Sequence, residues 1–156
     1  MIIFGADHKG YKLKKKLLIA IKNNTIIQDC GTKQNKNIIN YPDIVLKVVK
    51  KIISHNQPSL GVLICSSGVG MNIAANKFPY IRAAICHNIK DTILARKHND
   101  INILCLGSNI ITIKKAIKIF KIFINTKSIK TIRYQYRIEK MNNFFIKSTI
   151  NYQHEQ

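Results

Sequence analysis

Acidic residues are scarce in this chain, with seven Asp and Glu against 26 Lys and Arg and a formal net charge of +19. So large an excess raises the question of a nucleic-acid partner. Arginine is scarce too: only four of the cations are Arg and 22 are Lys, whereas nucleic-acid grooves lean on Arg and stacking aromatics. Ile, Lys and Asn supply 69 of the 156 residues, the signature of drift in an AT-rich genome, so the charge reads as a solvated lysine coat. A basic nucleic-acid-binding module stays as the alternative of another class, and it predicts duplex binding that falls steeply with salt.

Paired cysteines are absent. Cys30, Cys65, Cys86 and Cys105 show no CxxC spacing and no His-rich company, which implies neither a zinc site nor a disulfide framework. No apolar run approaches the ~18 to 20 residues of a membrane span, because Lys interrupts each candidate, as in Ile113-Lys114-Lys115-Ala116-Ile117-Lys118. No membrane partner is expected. The start, Met1 to Asp7, lacks the basic region and long apolar stretch of a signal peptide, so the expected location is the cytoplasm. Internal repeats and linkers are also missing. The length favours one domain, placed at 1–147, with 148–156 expected to fray.

What is present is a packed globular composition, 46% hydrophobic and 21% charged, arranged as apolar β-rich runs alternating with amphipathic helical segments. Strands are expected at Met1 to Ala6, Thr25 to Asp29, Gly61 to Cys65, Arg82 to Cys86 and Asn102 to Leu106. Their near-continuous hydrophobicity suits strands buried on both faces. Helices are expected near Gly10 to Lys22, Pro42 to Ser54, Val69 to Lys77, Asp91 to His98 and Thr112 to Phe123, with a further one at Ile129 to Phe145. This alternation gives an α/β fold: a three-layer α/β/α, Rossmann-like arrangement of a five-stranded parallel sheet, with right-handed crossovers and an extra C-terminal helix.

In an open parallel sheet ligands bind outside the carboxyl ends of the strands. Strand one is followed by Asp7-His8-Lys9-Gly10, a carboxylate and an imidazole ahead of a helix. Strand three runs into Cys65-Ser66-Ser67-Gly68-Val69-Gly70, a small-residue turn that opens another helix. Gly68 and Gly70 allow backbone amides to approach a ligand, and the helix start adds partial positive charge. A thiol at the mouth of such an anion-stabilising pocket is favoured as thiolate, which fits Cys65 to act as base or nucleophile. Ser67 adds a hydroxyl for proton relay. His98 closes the fourth helix, where a cation is stabilised and general acid work is suited. Arg133 and Arg137, four apart, share one helix face and form a ready phosphate clamp. Each motif also has an ordinary structural use: N-cap, connecting turn, C-cap or solvated surface.

Asp7 and Cys65 follow strands, whereas His98 ends a helix and belongs at the opposite sheet edge. One subunit does not easily join them. If they serve one site, two chains share it, His98 entering the partner's pocket in a two-fold homodimer. Further pairing into tetramers is compatible with the sequence.

Asp7-His8, the run from Ile64 to Lys77 (ICSSGVGMNIAANK), Ile81-Arg82-Ala83 and His98-Asn99-Asp100, in this order and spacing, resemble the ribose-5-phosphate isomerase B family, which includes galactose-6-phosphate and allose-6-phosphate isomerases. The likeness runs from residue 1 to about Lys140. It implies metal-free, cofactor-free interconversion of ribose 5-phosphate and ribulose 5-phosphate through an enediolate. On this resemblance Cys65 is the base, and Ser67 with the amides around Gly68, Val69 and Gly70 stabilises the oxyanion. His98 opens the furanose ring with help from Asp7. His8, Arg133 and Arg137 hold the phosphate, while Ser66 and Asn99 contact the sugar. One branch of the family uses a Glu base where Met71 stands here, which points to Cys65. Three departures stand out: Asn109 where many members carry a phosphate-binding Arg, Tyr134 where a His often follows the first clamp arginine, and Ser66 for a frequent Gly. A hexose-6-phosphate isomerase is the rival within the same chemistry, and a fold retained without activity is a third reading.

Overall fold

The computed structural model describes residues 1–21, 26–34 and 38–144. The elements run β1 (Ile2–Ala6), α1 (Tyr11–Ala20), β2 (Ile27–Asp29), α2 (Tyr41–Ser54), β3 (Leu60–Cys65), α3 (Val69–Ala75), β4 (Ala83–Ile85), α4 (Ile89–Asn99), β5 (Ile103–Gly107), α5 (Ile113–Asn125) and α6 (Ile132–Asn142). All five strands are parallel, in the order β2-β1-β3-β5-β4. Strand order reverses beside β1 and β3. That pair is the switch point of the sheet, the place where an open α/β fold leaves a crevice.

Alternate residues of each strand feed two cores. Ile2, Phe4, Ala6, Val62, Ile64, Leu104 and Leu106 pack on Leu13 and Leu17 of α1 and on Ile119, Phe120 and Phe123 of α5. Ile3, Leu63, Cys65, Ile103 and Cys105 pack on Ile44, Val45 and Val48 of α2 and on Met71 of α3. Lys14 of α1 is almost fully buried, and its ammonium meets both Asp29 carboxylate oxygens at 2.7 Å and the Thr32 carbonyl at 2.7 Å. A charge with every donor satisfied is tolerated there, and it ties the end of β2 to α1. No helix among the described residues is long and apolar enough to cross a membrane.

The structure corrects several expectations. β2 and β4 are short, half-buried edge strands rather than strands enclosed on both faces, because each has one hydrogen-bonded neighbour. β4 is therefore three residues long, ending before Cys86. α3 stops at Ala75 instead of reaching Lys77, and Asn76 turns out to bond the Ala83 backbone at its N–H and C=O. α4 starts earlier, at Ile89, with Asn88 as N-cap accepting from the Asp91 N–H at 2.9 Å. α6 starts later than Ile129: that residue donates its N–H to the Lys97 carbonyl at 2.9 Å, docking an extended segment on the end of α4. Lys22, Thr25, Phe145 and the 148–156 tail lie outside the described residues.

Candidate active site

Backbone packing builds the carboxyl edge. Gly10 has no room for a Cβ, since one would collide with the Ile64 carbonyl, so the β1–α1 turn lies directly against the end of β3. That turn places Asp7, which is buried, with Oδ1 accepting the Gly10 N–H at 2.8 Å. The carboxylate thus closes the β1–α1 turn rather than capping α1, whose N-cap is Gly10 without a side-chain bond, and its second oxygen carries no protein bond among the described residues. His8 is half-buried, and its Nδ1 accepts the Ile39 N–H at 3.4 Å. An acceptor at Nδ1 assigns the ring proton to Nε2, leaving an N–H to donate outward.

Cys65 is the last residue of β3, in register with Gly107 of β5. The chain then turns through Gly68, whose φ of 84° is the left-handed conformation that favours glycine, into α3. This turn aims the Gly68 N–H at the Cys65 sulfur, 3.2 Å away. Ser67 is exposed and its Oγ accepts the Val69 N–H at 3.2 Å, which leaves the hydroxyl proton free to donate. Ser66 Oγ accepts from Asn109 Nδ2 at 2.8 Å, fastening the β3 turn to the β5 turn. Gly70 lies under the ring of Tyr41, whose atoms would be 2.8 Å from a Cβ there.

The four thiols differ in surroundings. Burial pushes Cys105 up strongly and Cys86 up to about 11, and it raises Cys30 despite nearby Lys51 and Lys47. Those three are poor thiolates, whereas Cys65 has an amide donor on its sulfur at a helix start. Cys65 is only 6% exposed, so it forms the floor of the edge rather than its mouth. β3 is central, and α3 folds back over its end.

The remaining site residues are elsewhere. His98 and Asn99 end α4, and Asp100, with φ of 43°, closes it. Arg96 and Arg82 hold that end through Asp100 at 2.9 and 3.3 Å. The His98 ring is stacked on Tyr134 of α6, with centroids 4.7 Å apart and planes 13° apart. Arg133 and Arg137 on α6 are exposed, without a carboxylate partner among the described residues. The Asn99 side chain is exposed too, while its carbonyl accepts from Arg82 Nε at 3.1 Å. His98 and Asn99 precede the amino end of β5, α6 is docked on that end of α4 through Ile129 and the His98–Tyr134 stack, and Cys65 is level with the carboxyl end of β5. The four residue steps of β5 alone span ~13 Å. Asp7, His8, Cys65, Ser66, Ser67, Gly68, Val69 and Gly70 are brought together; His98, Asn99, Arg133 and Arg137 form a second group. Concavities of about 640 Å³ by Cys30 and about 460 Å³ by Tyr80 and Met141 lie away from Cys65.

A thiol, a carboxylate and an imidazole around amide donors at a sheet switch point define an α/β enzyme domain for a small anionic substrate. The family model for Ribose/Galactose Isomerase matches residues 2–141. The chain belongs to that family and is a sugar-phosphate isomerase in kind. It is 42% identical over 127 residues, 81% of this chain and 87% of the relative, to a Rickettsia conorii protein provisionally named a sugar phosphate isomerase. Among solved structures, ribose-5-phosphate isomerase B from Clostridium thermocellum is similar at a TM-score of 0.87 and 35% identity, over 94% of this chain and 98% of that one. The Mycoplasma genitalium enzyme, solved with bound ribulose 5-phosphate, matches at 0.85 and 34%, over 92% and 94%.

Sequence reasoning missed Tyr41, the Ile39 N–H and the Tyr134 stack. Tyr41 had a signal, since it directly precedes the Pro42 that marked the start of α2. The other two are contacts between elements far apart in sequence and left no local trace.

Proposed function

We propose that this protein interconverts D-ribose 5-phosphate and D-ribulose 5-phosphate through an enediolate, without a metal, as a cytoplasmic step of the pentose phosphate pathway in carbohydrate metabolism. The Cys65 thiolate takes the proton from C2. The C1 carbonyl oxygen gains the electron pair, and amides at the start of α3 stabilise the charge as it forms. Ser67 passes a proton between the two oxygens, and the thiol returns its proton to C1, leaving a C2 ketone. Before this, His98 protonates the furanose oxygen while Asp7 accepts the anomeric hydroxyl proton, opening the ring. His8 Nε2–H and the Arg133/Arg137 pair hold the phosphate, which anchors the sugar remote from the reacting carbons. Ser66, Asn99, Val69 and the flanking glycines line the sugar. Because the two groups of residues occupy opposite edges, the working unit is a homodimer whose active sites take His98, Asn99, Arg133 and Arg137 from the neighbouring subunit.

The observation that carries this reading is the Gly68 N–H on the Cys65 sulfur at the switch point. The test is a coupled isomerase assay on wild type and Cys65→Ala without added metal. Wild type converts ribose 5-phosphate, and the variant loses at least ~100-fold, the scale of a lost general base. Equal rates would reject Cys65 as base. Turnover of hexose 6-phosphates alone would move the substrate to the hexose rival.

A further inference from the structure

α6 carries no buried residue, yet it holds Arg133 and Arg137, and among the described residues its aromatic contact with α4 is the His98–Tyr134 pair. The same pair is the main constraint on the imidazole. Among the described residues no hydrogen bond reaches either His98 ring nitrogen, although the backbone around it is firmly held. Arg96 fastens the end of α4 to Asp100 at 2.9 Å and to the Thr126 carbonyl at 3.0 Å. Those bonds position the main chain and leave the ring free to turn about its side-chain torsions. A near-parallel stack at 4.7 Å and 13° restricts that freedom without engaging either ring nitrogen in a hydrogen bond.

We infer that Tyr134 is a positioning residue for His98, and that it makes the imidazole and the two arginines one rigid unit. This rests on the reading of His98 and the arginines given above. Tyr134 lies one residue after Arg133 and three before Arg137 on the same helix. Its ring therefore fixes where the acid points relative to where the phosphate is gripped. A substrate held at its phosphate by α6 meets an imidazole oriented by α6. The contribution is to geometry, since the phenol ring itself touches no reacting atom. Its hydroxyl is dispensable because the stack needs only the ring face.

The experiment is a kinetic cycle on ribose 5-phosphate with Tyr134→Phe and Tyr134→Leu, each in wild type and in His98→Asn. Tyr134→Phe retains most of the activity, within about twofold. Tyr134→Leu loses about tenfold in kcat, the upper range for an aromatic pair. In the His98→Asn background the kcat effect of Tyr134→Leu falls below about twofold, because there is no acid left to orient. A structural role would lower kcat equally in both backgrounds, and that result would overturn the inference, as would failure of Phe to rescue. Where the Leu variant fails to fold, the His98 ring protons in wild type and Tyr134→Phe give the reading: both shift upfield beneath the aromatic face, and unshifted signals reject the stack. His98→Asn with wild-type kcat would sink the assignment of His98 itself. A His98→Asn loss alongside a fully active Tyr134→Leu would sink only the role of Tyr134.

Discussion

The two edges of the sheet are built by different means. At the carboxyl edge the backbone does the positioning: Gly10 against Ile64, Gly68 in its left-handed turn, and the Gly68 amide on Cys65. The groups there are buried or bonded within the chain, and a one-atom intrusion at Gly10 has nowhere to go. At the amino edge His98 and Asn99 end α4, and Arg133 and Arg137 are exposed on α6. If the two groups serve one site as proposed, such a division gives it a half preorganised by the backbone for the charge that develops during reaction and a helix-borne half that grips the substrate. Under the proposed function, neither half is sufficient alone. A thiolate without an acid cannot open a sugar ring, and an acid ~13 Å or more away along the sheet cannot serve the same molecule.

The largest effect is expected from separating the halves and rejoining them. Cys65→Ala and His98→Ala each fall by ~100-fold or more as homodimers. In a randomly exchanged mixture half the dimers are mixed, and each mixed dimer has one site with both residues intact. Activity therefore recovers to roughly a quarter of wild type, by that counting of sites. Mass spectrometry verifies the exchange, and verified exchange with no recovery would show that each chain works alone, breaking the comparison.

A smaller effect tests whether the helix-borne half grips phosphate. Arg137→Ala should raise KM for ribose 5-phosphate with little change in kcat, costing about 1.5 to 3 kcal/mol, as for one hydrogen bond to a charged group. The folded state has little to lose, because Arg137 makes no ion pair among the described residues and α6 buries no residue. An unchanged KM would remove Arg137 from the clamp. A lowered Tm would give it a structural role instead.

Much of this was legible in the sequence because it depends on local patterns. Strand-helix alternation gave the parallel sheet, and the rule that ligands sit after strands singled out Asp7, His8 and Cys65 without coordinates. The opposition of Cys65 and His98 followed from the same logic, since one follows a strand and the other ends a helix. What the sequence could not show were contacts between distant segments: His8 with Ile39, 31 residues away, Ser66 with Asn109, 43 away, and His98 with Tyr134. The depth of Cys65 escapes local pattern for a related reason. A strand's last residue sits at the rim only where nothing folds back over it, and α3 does so here. α6 starts later than its helical pattern suggests because the Ile129 N–H is bound by the Lys97 carbonyl, a tertiary bond that overrides local propensity.

The smallest expected effect sharpens the comparison at Asn109. Its amide donates to Ser66 Oγ, so this position fastens two turns and brings no charge to the carboxyl edge. A concavity of about 260 Å³ lined by Lys9, Lys12, Lys16 and Asn109 gives a longer side chain room. If the lysines already supply the local positive potential, Asn109→Arg adds one more exposed cation and lowers KM only about threefold, within the range of an exposed ion pair. Its benefit should shrink as salt rises from 50 to 200 mM, because exposed charges are screened over about 10 Å at 0.1 M. Asn109→Ala separates charge from fastening: it frees Ser66 without adding a cation, and its KM should stay near wild type. A drop in KM of thirtyfold or more for the arginine variant, persisting at high salt, would mean that the preorganised half is short of a buried cation and does share the work of holding phosphate.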